Sequence, residues 1–130
     1  MSERIVRVVA AVIERENRYL ITQRRATAVL PNLWEFPGGK VEPGERDEDA
    51  LRREIRERLD ADVRVAQMIS FVRHPYERYT VDLHLYQCEL MSEVQARAVQ
   101  DFRWIRSDEF DDFEFTPADE ASMTKLLEER

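Results

Sequence analysis

Two adjacent glycines followed by spaced charges form the part of this chain whose residue types could do chemistry. Residues 38–45 read GGKVEPGE and residues 53–57 read REIRE. Glycines let a ligand approach the backbone closely and leave carbonyls free to face it. If residues 45–59 form a helix, Glu54 and Glu57 stand three positions apart, about 60° in projection, and the apolar Ile55 lies roughly 100° or more from both. The spacing therefore predicts two carboxylates on a shared edge that faces away from the core. Arg53 stands one turn before Glu57 and can pair with it, holding that carboxylate in one rotamer. Hard oxygen ligands completed by water suit Mg²⁺, so the pattern reads as a Mg²⁺ and phosphate site.

The elements needed to position these groups can be read from periodicity. Residues 4–13 alternate and then run apolar, which predicts a strand with a buried face, followed by a polar turn at 14–17 and a second strand at 19–23. Residues 24–44 hold all three glycines and three of the five prolines, the composition of a long rigid loop. The helix over 45–59 has acids in its first turn (Asp47, Glu48, Asp49), arginines towards its end, and a Leu51, Ile55, Leu59 stripe. Strands are predicted over 62–72 and 78–89, with a turn at 74–77, and a short strand over 102–105. A last helix over 117–129 has Thr116 as N-cap and Pro117 at its first position, with Met123, Leu126 and Leu127 turned inward. Strands on both sides of one helix, closed by another, predict an α/β fold in which a mixed sheet is sandwiched between helices.

Composition narrows what such a site could serve. A length of 130 residues suits one domain, 1–130, with a core that holds without staples. The lone Cys88 can form no internal disulfide, which suits a reducing, cytoplasmic setting. The N-terminal apolar stretch is too short for a signal core or a membrane span, so no membrane partner is expected. The net charge of −7 is uneven, since residues 108–130 hold nine acids against Lys125 and Arg130 and the rest balances. With no positive face to displace counter-ions from a polymer's phosphates, no nucleic-acid polymer is expected as a partner, whereas a small anion held through a metal remains open. The acidic tail is read equally well as a solubility device.

The segment resembles the Nudix box, G-x5-E-x7-R-E-U-x-E-E-x-G-U with U aliphatic. Gly39, Glu45, Arg53, Glu54, Ile55 and Glu57 fall at its required spacings, and the preceding LWEFPGG is also similar to the family. Strand order and length look like its small MutT-type branch. The resemblance implies a Nudix fold, an α/β/α sandwich whose box forms a loop-helix-loop, and hydrolysis of a nucleoside triphosphate to a monophosphate and pyrophosphate, as in nucleotide-pool sanitising. It implies Mg²⁺ or Mn²⁺ as cofactor, held by Glu54, Glu57 and the Gly38 carbonyl. Glu54, Glu57 and Arg53 would be the catalytic group, with Arg53 orienting, Arg24 and Lys40 the phosphate contacts, and Glu45 a support near the helix start. The partner would be a small nucleotide, and the chain a monomer or homodimer.

Departures from the pattern carry their own expectations. Arg58 stands where the box has a second Glu, a charge reversal one turn from Glu54 that predicts pairing with it. Either metal binding is weakened or the guanidinium takes over neutralisation of the phosphates. Asp60 replaces the terminal glycine and can adopt the left-handed conformation that ends helices. Relatives place another Glu six residues before a tryptophan like Trp104, a position that is Ala98 here, with Asp101 the nearest acid. Asp119 is the candidate base reader, because its P-A-D setting resembles relatives acting on cytidine or oxidised purine nucleotides and a carboxyl can accept from an amine or, protonated, donate to a carbonyl. His84 and Tyr86, alternating against Leu83 and Leu85, are expected to line a groove and touch the base. The competing reading is a catalytically impaired nucleotide-binding or regulatory protein, in which Arg58 and Ala98 have removed efficient turnover.

Overall fold

The computed structural model describes residues 4–128. β1 (Ile5–Arg15) is its spine, with alternation placing Val9, Ala11 and Ile13 on one face and Ala10 and Val12 on the other, all buried. It runs parallel to β6 (Thr80–Leu90), Ile5 to Ile13 against Thr80 to Cys88. Its other edge is shared between β4 (Gly38–Lys40), beside Val8 to Ala10, and β2 (Arg18–Gln23), beside Glu14 and Arg15. β3 (Trp34–Glu35) and β7 (Asp101–Ile105) flank β2, and β5 (Val63–Pro75) pairs with β6. Both central residues of the β1–β2 turn, Glu16 and Asn17, have positive φ, as a two-residue hairpin that follows strand twist requires.

Each face of this mixed sheet carries one helix. α1 (Asp47–Leu59) buries Ala50, Leu51, Ile55 and Leu59 completely against Val9, Ala11, Ile13 and Leu20, each of the larger side chains contributing about 2 kcal/mol. α2 (Pro117–Glu128) packs Ala118, Met123 and Leu126 over Ala10, Val12, Leu83 and Leu85, with Phe36, Phe110 and Phe115 filling the gap. The expected α/β/α layering is present.

Local details depart from the sequence reading for identifiable reasons. The 24–44 segment is not wholly loop, because β3 hydrogen-bonds to β2 on one side and the Trp34 amide and carbonyl bond Glu114 and Thr116 on the other. Strands of two or three residues carry no periodicity to read. α1 begins at Asp47 rather than Glu45, whose carboxylate instead accepts from the Glu42 N–H and closes the loop. A 3-10 turn at Ser107–Asp112 lies in a stretch for which periodicity predicts no element. Leu127 is exposed rather than inward, and Glu129, the predicted end of the last helix, lies outside the described residues. Asp60 does end α1 in the left-handed conformation, its N–H bonding the Arg56 carbonyl. Among the described residues no helix is long and apolar enough to cross a membrane.

Candidate active site

A cleft of about 670 Å³ runs from the α2 face of the sheet, around β3 and β4, to the side of α1. Its first end is apolar, walled by Val8, Val81, Leu83 and Phe36, with Asp119 at its base and Tyr76 and Tyr79 at its side. Its second end holds Gly38, Gly39, Lys40, Glu54 and Arg58, with Arg24 and Glu35 between.

At the charged end the guanidinium groups and carboxylates alternate. Arg53 donates through Nε and Nη2 to both oxygens of Glu45, at 2.8 and 2.9 Å, through Nη2 to the Lys40 carbonyl at 3.0 Å, and through Nη1 to Glu54 Oε1 at 2.9 Å. Glu57 is its more distant partner, at 3.4 Å. Arg53 thus clamps the loop to the helix chiefly through Glu45, and that hydrogen bonding holds the Glu45 carboxyl down at about 2. Arg58 donates through Nε to Glu54 Oε2 at 2.7 Å, and its Nη1 lies 3.6 Å from Glu35 Oε2. Arg24 donates to Glu35 Oε1 at 3.1 Å. The pairing of Arg58 with Glu54 is the one the i, i+4 spacing predicts.

Glu54 does not face away from the core. It is 8% exposed, because β4 covers the helix edge that an isolated helix would turn to water. Its carboxylate sits where a Gly39 side chain would be, since a Cβ on Gly39 would lie 2.2 Å from Glu54 Cδ. Glu57 is open, and with Arg25, Thr27 and Ala98 it borders an adjoining groove that also reaches Glu54, Arg24 and Arg58. The bonds from Ala11 N–H to Pro37 O and from Val41 N–H to Arg7 O make Val9 and Gly39 the bonded pair between them, so the Gly38 carbonyl points away from β1.

At the apolar end Asp119 is 7% exposed. Its Oδ1 accepts from the Phe36 N–H at 2.9 Å and its Oδ2 from the Thr116 hydroxyl at 2.5 Å, while Thr116 Oγ1 accepts from the Asp119 N–H at 3.3 Å. Thr116 is therefore the N-cap expected, and the cap fixes the Asp119 rotamer. Burial, with the nearby Glu35 charge, pushes the Asp119 carboxyl up to about 7, against the opposing hydrogen bonds and Arg24. Burial also raises Glu35, opposed by Arg24 and Arg58.

Two residues expected to line the groove and touch the base, His84 and Tyr86, do not line this cleft. His84 and Tyr86 do alternate against Leu83 and Leu85, but it is the leucine face that walls the cleft. Tyr86 packs towards α1 and donates to Asp47 Oδ2 at 2.6 Å, alongside Arg7. His84 packs against Phe71, its ring tilted 54° to that of the phenylalanine. Asp101, the acid nearest in sequence to Ala98, pairs its carboxylate with Arg103 and accepts from the Phe102 N–H, while Ala98 itself lies beside Glu54. Glu35 escaped the sequence reading. The only available signal was its place in the LWEFPGG stretch, since Arg24 and Arg58 meet it only in the folded chain.

The resemblance implies a divalent ion on Glu54, and the donors here do not fit a resident one. Both Glu54 oxygens already accept from guanidinium groups. Ala98 offers no third carboxylate. Among the described residues no three His, Cys, Asp or Glu side chains come together in a way that could hold a metal ion. The Gly38 carbonyl and the Glu57 carboxylate remain, too few for a six-oxygen shell unless waters and a bound phosphate chain complete it.

Residues 8–125 match the model of the NUDIX domain family. The chain is 34% identical over 117 residues to a CTP pyrophosphohydrolase of Escherichia coli K12, covering 89% of this chain and 87% of that protein. It is 30% identical over 131 residues to an 8-oxo-dGTP diphosphatase of Haemophilus influenzae, covering 99% and 96%. Among solved structures it superposes on the solution structure of the E. coli ORF135 protein with a TM-score of 0.85 at 31% identity, over 97% of this chain and 91% of that one.

Proposed function

The chain belongs to the Nudix hydrolase family, in its MutT-type branch, and from that premise we propose that it hydrolyses nucleoside triphosphates to the monophosphate and pyrophosphate, taking them as their Mg²⁺ or Mn²⁺ complexes. The observation that carries this reading is the continuity of one cleft, apolar and closed by Asp119 at one end and lined by carboxylates and guanidinium groups at the other. A nucleoside suits the first and a phosphate chain the second. Arg24 and Lys40 neutralise the phosphates. Glu57, the more open carboxylate, receives the proton of the attacking water as its oxygen bonds to phosphorus, and the bridging oxygen leaves with pyrophosphate. Glu54 and Arg53 hold that geometry from beneath. The Gly38 carbonyl and Glu57 are the oxygen donors left for an ion that the triphosphate carries in.

Asp119 reads the base, and its protonation sets what it can read. The similar proteins named for CTP and 8-oxo-dGTP suggest bases that offer both an exocyclic amine and a hydrogen-bond acceptor. An acid raised to about 7 is increasingly neutral below that pH, donating as well as accepting, and becomes an acceptor only above it. With metal saturating, KM for the preferred nucleotide is expected to rise about 3- to 10-fold between pH 6 and 8 as the donor is lost. Asp119→Asn keeps a donor and an acceptor at every pH and is expected to flatten the profile. The same inflection in both proteins would assign it to the nucleotide and remove Asp119 from base reading.

A further inference from the structure

We propose that Arg58 is a built-in counter-ion standing in for a resident divalent ion on Glu54, so that the protein takes up metal only as part of a nucleotide complex. Arg58 sits one helical turn from Glu54, with Nε 2.7 Å from Oε2, while Arg53 holds Oε1 at 2.9 Å. Neither Glu54 oxygen is left without a cation, and the carboxylate is nearly buried under Gly39. A carboxylate in such a place needs a positive partner, since an uncompensated charge there is strongly destabilising. A metal ion or a guanidinium can supply it, and here it is a guanidinium on a rigid tether.

Glu35 makes the arrangement specific. Its Oε2 lies 3.6 Å from Arg58 Nη1, so one guanidinium bridges two nearly buried carboxylates that would otherwise face each other with like charge. Arg24 holds the other Glu35 oxygen. Glu54, Arg58, Glu35 and Arg24 therefore form a charge-balanced row along the cleft wall, complete without an ion. Arg58 acts through Glu54 and is a positioning residue. The inference rests on reading the groove as the triphosphate site, yet its main test needs no nucleotide.

Mn²⁺ uptake by the free protein, read from loss of the free-ion electron paramagnetic resonance signal, tests it. The wild type is expected to bind no Mn²⁺ below about 1 mM. Arg58→Glu should gain a site at least about tenfold tighter, and Arg58→Gln, which keeps size without charge, should gain a weaker one. Thermal melts establish that each variant is folded, and Arg58→Gln carries the test if Arg58→Glu is not. Tight Mn²⁺ binding by the wild type alone, or a folded Arg58→Gln with no gain, would overturn the proposal. A parallel arm adds an α,β-methylene nucleoside triphosphate, whose uptake together with Mn²⁺ is expected at equal stoichiometry. If the analogue fails to bind while the Mn²⁺ results hold, the triphosphate reading falls and the role of Arg58 on Glu54 stands.

Discussion

Gln in place of Glu54 is expected to lower pyrophosphate release by about 10²-fold or more, the loss that follows when the groups holding a reacting geometry shift by near 1 Å, because Glu54 anchors Arg53 and Arg58 beneath the proton-accepting Glu57. The substitution keeps the shape and one acceptor but turns an amide donor towards a guanidinium. Arg53 and Arg58 then face each other across a neutral group. Losing one partner of a fully buried ion pair costs about 3–5 kcal/mol. The cost here should be lower, about 1–3 kcal/mol, because both arginines are partly exposed and keep Glu45 and Glu35 as partners. Turnover and thermal melting measured together separate the two effects. A folded Glu54→Gln protein retaining more than about a tenth of wild-type turnover would remove Glu54 from the site.

The second large effect divides two neighbouring glycines. The nearest atoms to a Cβ on Gly39 would be the carboxylate end of Glu54, whereas a Cβ on Gly38 would lie 2.0 Å from the Val9 carbonyl oxygen and 2.7 Å from Ala10 Cα. A side-chain end can swing away, but the backbone of the central strand cannot. Gly39→Ala is therefore expected to fold with a smaller loss of stability than Gly38→Ala while displacing the Glu54 carboxylate against its two arginines, with a loss of turnover of about 100-fold, typical of a misplacement near 1 Å. Gly38→Ala should separate β4 from β1 and cost about 1–3 kcal/mol or more, lowering the melting temperature first. Equal melting temperatures for the two variants, or an active Gly39→Ala, would contradict the geometry assigned to the loop.

What could be read beforehand was whatever a single element determines. Alternation along β1 and β6 and the Leu51, Ile55, Leu59 stripe of α1 follow from backbone periodicity, and the structure buries those faces. The Glu54–Arg58 pair was legible because a helical turn brings residues four apart together whatever surrounds them. So was the Thr116 cap beneath Asp119. Contacts between elements were not. The Phe36 N–H that holds Asp119 is 83 positions away. Glu35 gains its partners only when β3 docks beside β2 and α1. Alternation in β6 separates Leu83 and Leu85 from His84 and Tyr86, but the side on which α2 packs decides which face carries the core under α2 and, through Leu83, the cleft wall. The burial of Glu54 likewise depends on β4, a strand too short to show in the sequence.

The most direct test of the proposed chemistry is to identify the products. CTP, dGTP and 8-oxo-dGTP would each be incubated with Mg²⁺ or Mn²⁺, the products resolved by anion-exchange chromatography, and Glu54→Gln used as the blank. Equal amounts of monophosphate and pyrophosphate from at least one nucleotide, absent from the blank, are the expected result. A diphosphate with inorganic phosphate would contradict it, as would tight nucleotide binding with no turnover, which would make this chain a nucleotide-binding protein on a hydrolase fold.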